Sequence, residues 1–165
     1  MFLNPDIVNA LTTRDHELHQ SVCELTHRAS VYMSAHSEKE YIMNCHSITR
    51  AIASRMPDLR VVSGRHVSIK YETAKQVFVT YTIHSWLATP DDAVIDAYPP
   101  TILSIAPIIV PTKGKYAEAN AGMYIADSSV EGFMRKHVNT WRMRHFTARV
   151  IQLIADAEDF AKSNA

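Results

Sequence analysis

The sequence predicts an α+β fold, on two observations. Apolar residues recur at helical spacing as far as Met56 and again after Ser128, whereas between Leu59 and Ala97 they follow strand texture. Helices and strands are thus segregated along the chain, unlike the alternating order of a doubly wound parallel sheet. Four glycines in all, with no glycine-rich phosphate loop, agree with that exclusion.

The elements follow in order. Asn4-Pro5-Asp6 offers a helix cap with proline at the first helical position, and Thr12-Thr13-Arg14-Asp15 offers a second start. From Leu18 the positions Val22, Leu25, Ala29, Tyr32 and Met33 form the stripe of an amphipathic helix ending near Ala35 to Ser37. Asn44 caps a third helix through Met56, which Pro57 stops because proline disfavours helical geometry in the residue before it. Strands are predicted over Leu59 to Tyr71 and Gln76 to Thr89, joined at Glu72-Thr73-Ala74-Lys75.

Val77, Val79, Tyr81 and Ile83 alternate along the second strand with Phe78, Thr80, Thr82 and His84. Pro90-Asp91-Asp92 turns the chain, so that Ala93 to Ala97 returns as a short strand beside His84. Thr101 to Val110 is an Ile-rich run whose Pro107, with Pro111 closing it, suits an edge or bulge. Lys113 to Gly122 reads as loop. Ser128 or Ser129 then opens one last helix carrying Phe133, Trp141, Val150, Leu153, Ile154 and Phe160.

The 165 residues are one domain's worth, with N-terminal helices over 5–36, a core over 38–111 and a C-terminal helix over 129–162. Lys plus Arg and Asp plus Glu both number 17, so net charge points to neither nucleic acid nor an anionic membrane. The first residues lack a basic region followed by an apolar stretch, and no run approaches bilayer-spanning length. A cytoplasmic protein is expected, or one exported by a route needing no cleaved signal. Two cysteines make no disulfide framework, and nothing here sets an oligomeric state.

Cys45 falls in the first turn of the helix that Asn44 caps. Unpaired backbone N–H groups and the helix dipole there lower a thiol's pKa, and the same N–H groups can hold an oxyanion. A thiolate nucleophile needs an imidazole to manage its proton, and His84 is the candidate. A carboxylate that orients the imidazole completes the set, and Asp96 fits.

Three phrases carry a resemblance: Cys45-His46-Ser47-Ile48-Thr49-Arg50-Ala51; Met56 through Val62-Ser63-Gly64; and His84-Ser85-Trp86-Leu87 followed by Val94-Ile95-Asp96-Ala97-Tyr98-Pro99. From Cys45 to about Pro100, roughly a third of the chain, the text resembles the transglutaminase-like branch of the papain-like cysteine enzymes. The resemblance implies a papain-like core, with the nucleophile helix packed on a small antiparallel sheet carrying His84 and Asp96. It also implies acyl-thioester chemistry on an amide. Relatives often place glycine or an aromatic residue where this chain has Met43-Asn44.

Asn44 could donate its side-chain amide to an oxyanion, although capping explains it fully. Trp86 would wall the acyl site by resemblance, or is simply a buried aromatic. His46 could influence the charge on Cys45, or lie exposed on the helix.

Other residues invite rival readings. His16 and His19 lie three apart on a helix, yet the nine histidines show no ligand-like spacing, so neither a metal nor another cofactor is expected. Cys23 sits beside the apolar stripe and is expected to be structural. His66-x-Ser68 and His84-Ser85 superficially suggest a paired His-x-Ser phosphoesterase, which a missing second serine and basic cluster disfavour.

The expected function is therefore a cysteine-dependent peptidase, amidase or deamidase acting on a protein or peptide, with transamidation less favoured because water needs no dedicated second site. The alternative is a non-catalytic binding module that keeps the same core.

Overall fold

The computed structural model describes residues 9–36, 44–73, 76–99, 106–113, 123–138 and 140–164. They form an α+β arrangement of four helices and five strands: α1 (Thr13–Ala35), α2 (Cys45–Arg55), β1 (Arg60–Thr73), β2 (Gln76–Ala88), β3 (Val94–Asp96), β4 (Ile108–Val110), β5 (Tyr124–Ala126), α3 (Ser128–Val138) and α4 (Trp141–Ser163). The strands make one antiparallel sheet in the order β4-β3-β2-β1-β5.

α1 begins at the expected place. Thr12 accepts from the Asp15 N–H at 3.1 Å while the Asp15 carboxylate accepts from the Thr12 N–H at 2.9 Å, which is a complete capping box. Asp15 is buried, and its other oxygen accepts from the Thr89 hydroxyl at 2.5 Å. Thr89 in turn accepts from the Ala93 N–H at 3.0 Å. The start of α1 therefore fixes the β2–β3 turn, where Asp92 takes a positive φ of 67°. That turn sets how the His84 and Asp96 strands face one another.

The long hairpin pairs Gly64 with His84 and Val62 with Trp86. Gly64 is required by space: a Cβ there would lie 2.1 Å from the Ile125 oxygen and 2.8 Å from the Trp86 ring. Ser85 and Leu87 turn toward α2, whereas His84 and Trp86, one residue out of phase, turn the other way. Leu87 joins Val22, Ile48, Ile52, Leu59, Ile95, Val150 and Ile154 in the main core, where α1, α2 and α4 cover the sheet. Burying each such side chain contributes about 1.5–3 kcal/mol relative to leaving it exposed. Trp86, Val94 and Tyr124 form a separate cluster.

Three expectations need correction. The last helix is two: the chain breaks after Val138, and the Thr140 side chain caps a new start by accepting from the Met143 N–H at 3.5 Å. As a result Val130, Met134 and Met143 are buried, while Phe133 and Trp141 are 56% and 79% exposed and Phe160 is also exposed. The sheet does not close at residue 111, because β5 adds to β1 through Gly64↔Ala126, Arg65↔Ile125 and His66↔Tyr124. The outer strand residues Val79, Tyr81 and Ile83 are exposed together with Phe78, so alternation there does not divide core from solvent.

β4 is an edge strand between buried Pro107 and Pro111, as the prolines require. The proposed start at Asn4-Pro5-Asp6, residues 101–105 of the Ile-rich run and residues 114–122 of the predicted loop lie outside the described residues. Among the described residues no helix is long and apolar enough to cross a membrane.

Candidate active site

Cys45 is the first residue of α2. Asn44 lies in extended geometry before it, and its side-chain oxygen accepts from the N–H groups of His46 at 3.0 Å and Ser47 at 2.9 Å. Asn44 is thus a capping residue. The Ser47 hydroxyl lies 3.2 Å from the Asn44 N–H and completes the reciprocal cap. Two first-turn donors expected to be open are consequently engaged by Asn44. The Cys45 N–H is the first-turn donor with no partner among the described residues.

α2 is pinned to β2 at two points. The Thr49 hydroxyl shares its proton between the Cys45 oxygen at 2.5 Å and the Ser85 oxygen at 3.2 Å. The His46 Nδ1 lies 2.8 Å from the Ser85 hydroxyl, which lies 2.9 Å from the Ser63 hydroxyl. Ser63, Ser85 and Thr49 are buried, so the packing fixes these short side chains. His46 is half-buried and anchored, in place of the exposed position one reading of the sequence gave it.

His84 and Asp96 meet inside the protein, only 1% and 0% exposed. The His84 Nε2–H donates to Asp96 Oδ2 at 2.7 Å. A carboxylate can only accept, so that contact fixes the proton on Nε2 and leaves Nδ1 as the ring's other polar atom. Asp96 is itself held twice more: Tyr124 donates its hydroxyl proton to Oδ2 at 2.8 Å, and the Tyr98 N–H donates to Oδ1 at 2.9 Å. A buried carboxylate with three donors is locked in place.

His46 and His84 are the two groups that act on the Cys45 sulfur, through hydrogen bonding and through charge. Burial alone would push the thiol up, but these hydrogen bonds and the charges of the two imidazoles outweigh it and bring Cys45 down to about 6. Burial likewise opposes the charged form of His84. Its hydrogen bonds with Asp96 and Cys45, and their negative charges, nevertheless raise it to about 9. Between those values the favoured state is thiolate beside imidazolium.

The aromatic surroundings are dense. The Trp86 ring stacks on His84 with centroids 6.3 Å apart at 27°, and Tyr124 packs on Trp86 edge-on at 5.4 Å. His66 lies 5.8 Å from His84 and 5.0 Å from Tyr124, with its Nδ1 3.2 Å from the Ser68 hydroxyl. Burial, together with the positive charge of His84, lowers His66 and favours its neutral form. Burial and the Asp96 charge hold Tyr124 well above the ordinary phenol range, so it remains a donor.

Tyr124 is the site residue that sequence reasoning missed. A single aromatic after Gly122-Met123 gives no sign that the strand it starts joins the sheet beside β1, from where its hydroxyl reaches Asp96 on β3. His66 and His84, weighed only as a phosphate-binding pair, do come together, although Ser68 is spent on His66.

Cys23 lies elsewhere, 3.5 Å from the His19 Nε2, and burial with the nearby Glu24 charge raises its thiol. Both cysteines are free. Among the described residues no group of three or more His, Cys, Asp or Glu is placed to hold a metal ion. Compared with family models, curated proteins and solved structures, the chain matches none.

Proposed function

We propose that this protein is a cysteine-dependent enzyme that acts on an amide or peptide bond through an acyl-thioester, with Cys45 as nucleophile, His84 as proton carrier and Asp96 as its orienting carboxylate. The observation that carries the reading is a thiol lowered to about 6 beside an imidazole whose other nitrogen is fixed 2.7 Å from a buried carboxylate. Cys23, raised by burial and the Glu24 charge, shows no such lowering even with the His19 Nε2 3.5 Å away. The Cys–His–Asp order and strand placement also agree with the transglutaminase-like resemblance, and a papain-like core is part of the proposal.

The Cys45 thiolate adds to the substrate carbonyl, forming an S–C bond and placing the carbonyl electrons on oxygen. The Cys45 N–H is the protein's own donor for that oxyanion. As the oxyanion collapses the C–N bond breaks, and the His84 imidazolium gives its proton to the departing nitrogen. His84, now neutral, takes a proton from water, whose hydroxide adds to the thioester carbon. Collapse releases a carboxylic acid and restores the thiolate and imidazolium pair. Asp96 stabilises imidazolium throughout without itself carrying the proton.

Peptide-bond hydrolysis and side-chain deamidation share this sequence and differ in the amide presented. An amine in place of water would give transamidation. A reducing compartment such as the cytoplasm is where two free thiols persist.

The test is chemical trapping on a peptide library rich in Gln, Asn and backbone amides. Acid quenching during turnover is expected to leave a hydroxylamine-labile acyl mass on the Cys45 peptide. Product should be absent in Cys45→Ala and slowed by at least about a hundredfold in His84→Ala. Product formation by Cys45→Ala at the wild-type rate would overturn the proposal.

A further inference from the structure

A balanced total of charge hides an uneven distribution. Between Asp127 and Asp156 the chain carries five cations, Arg135, Lys136, Arg142, Arg144 and Arg149, against a single acid, Glu131, so the rest of the molecule is correspondingly acidic. Glu131 is engaged by Arg135 at 3.0 Å. All five cationic residues are exposed. The two helices that carry them are tied end to end, because the Thr140 N–H and hydroxyl both donate to the His137 oxygen, at 2.9 and 2.6 Å. The last turn of α3 and the opening turns of α4 therefore adjoin at the surface.

The same region carries aromatic rings that the packing keeps outside. Met134, Met143 and Val150 bury the inner side of the two helices, while Phe133 is 56% and Trp141 79% exposed. Each ring has a basic neighbour one helical turn away. His137 stacks on Phe133 with centroids 5.8 Å apart at 8°, and His145 stacks on Trp141 at 5.4 Å and 13°. The Arg142 guanidinium lies 5.4 Å from the centre of the Phe146 ring. Exposed aromatic rings interleaved with a local excess of cations are the footprint of a surface that meets something anionic.

We propose that this α3–α4 surface docks on an anionic lipid bilayer, with Trp141 and Phe133 entering the headgroup layer and the Lys and Arg side chains facing the lipid phosphates and carboxylates. The occupant follows from charge complementarity together with the rings. An anionic leaflet attracts each Lys or Arg near it, and Trp is favoured at the bilayer interface. A single strand of nucleic acid is also anionic, but it binds by stacking bases on open ring faces. Here an imidazole already covers one face of Phe133 and of Trp141, whereas a headgroup layer receives the whole side chain. The inner side of both helices stays in the protein core, so the attachment is peripheral and held largely by charge. The proposal stands apart from the chemistry at Cys45.

The experiment measures co-sedimentation of the full chain with vesicles of phosphatidylcholine alone and of phosphatidylcholine with about 30% phosphatidylserine. Binding should be at least about tenfold tighter to the anionic vesicles and should weaken as salt rises from about 0.1 M to about 0.5 M. Lys136→Glu and Arg142→Glu should each weaken it at least about fivefold, whereas Lys162→Glu, the same reversal at the far end of α4, should change it by less than about twofold. The chain's two tryptophans are the buried Trp86 and the exposed Trp141, so vesicles should shift the fluorescence to the blue in the wild type and leave Trp141→Phe unshifted.

Equal binding to both vesicle types, or none to the anionic ones, would overturn the proposal. So would a blue shift that survives in Trp141→Phe, or an equal loss in Lys162→Glu. Binding of a single-stranded oligothymidylate that Lys136→Glu and Arg142→Glu abolish, without vesicle binding, would reassign the surface to nucleic acid.

Discussion

At the scale of the residue, the proposed chemistry depends on a carboxylate with no freedom to move. Asp96 accepts from His84, Tyr124 and the Tyr98 backbone, and His84 owes its raised value of about 9 in large part to that carboxylate. Replacing Asp96 by Asn removes the charge while keeping the shape. His84 should then titrate lower, so the alkaline limb of the pH–rate profile moves down, and kcat should fall roughly 10³–10⁴-fold because imidazolium loses its partner. Tyr124→Phe removes a donor to a buried charge and should cost about 1.5–3 kcal/mol of stability in urea titration, with a smaller loss of rate. A profile unmoved by Asp96→Asn would show that the carboxylate is only structural.

At the scale of the element, one residue sets the start of α2. Asn44→Ala loses both bonds from Asn44 Oδ1 and should cost about 0.5–2 kcal/mol, read as a lower denaturation midpoint with an unchanged slope. Asn44→Asp separates capping from electrostatics. It caps equally well, so stability should hold, but its negative charge next to the sulfur should push the Cys45 thiol up. If Asn44→Asp left the thiol where it is in the wild type, the dependence of Cys45 on local charge would be refuted.

The elements also mark what the sequence could reveal. Thr12, Asn44 and Pro57 act within three or four residues, so the limits of α1 and α2 were legible, and the His84 and Asp96 strands followed from Pro90-Asp91-Asp92. The break at Thr140 was not legible, because apolar residues on both sides keep helical spacing while Phe133 and Trp141 go to the surface. β5 was hidden for a related reason: three residues have no usable period, and only pairing with β1 makes Tyr124–Ala126 a strand.

At the scale of the whole molecule, the site is assembled by contacts between distant segments. α1 fixes the β2–β3 turn through Asp15 and Thr89, α2 brings the thiol, β2 and β3 bring imidazole and carboxylate, and β5 supplies the third donor to Asp96. Gly64 sits where β5 and the Trp86 ring close on β1. Gly64→Ala would force the Ile125 backbone away and should destabilise the fold by about 1–3 kcal/mol. It should also slow the reaction, since Tyr124 is displaced with β5. Full stability and rate in Gly64→Ala would contradict this account of the assembly.

The central claim is that the fold holds Cys45 as a thiolate beside a charged His84, and the pH dependence of Cys45 alkylation tests it most directly. Site-resolved mass spectrometry separates Cys45 from Cys23, whose thiol is raised. In the wild type the Cys45 rate should rise with the thiolate fraction through about pH 6. In His84→Ala the midpoint should move up, and in His84→Ala with His46→Ala it should approach the ordinary thiol value of about 8.5. A midpoint near that ordinary value in the wild type, unmoved by either substitution, would contradict the claim.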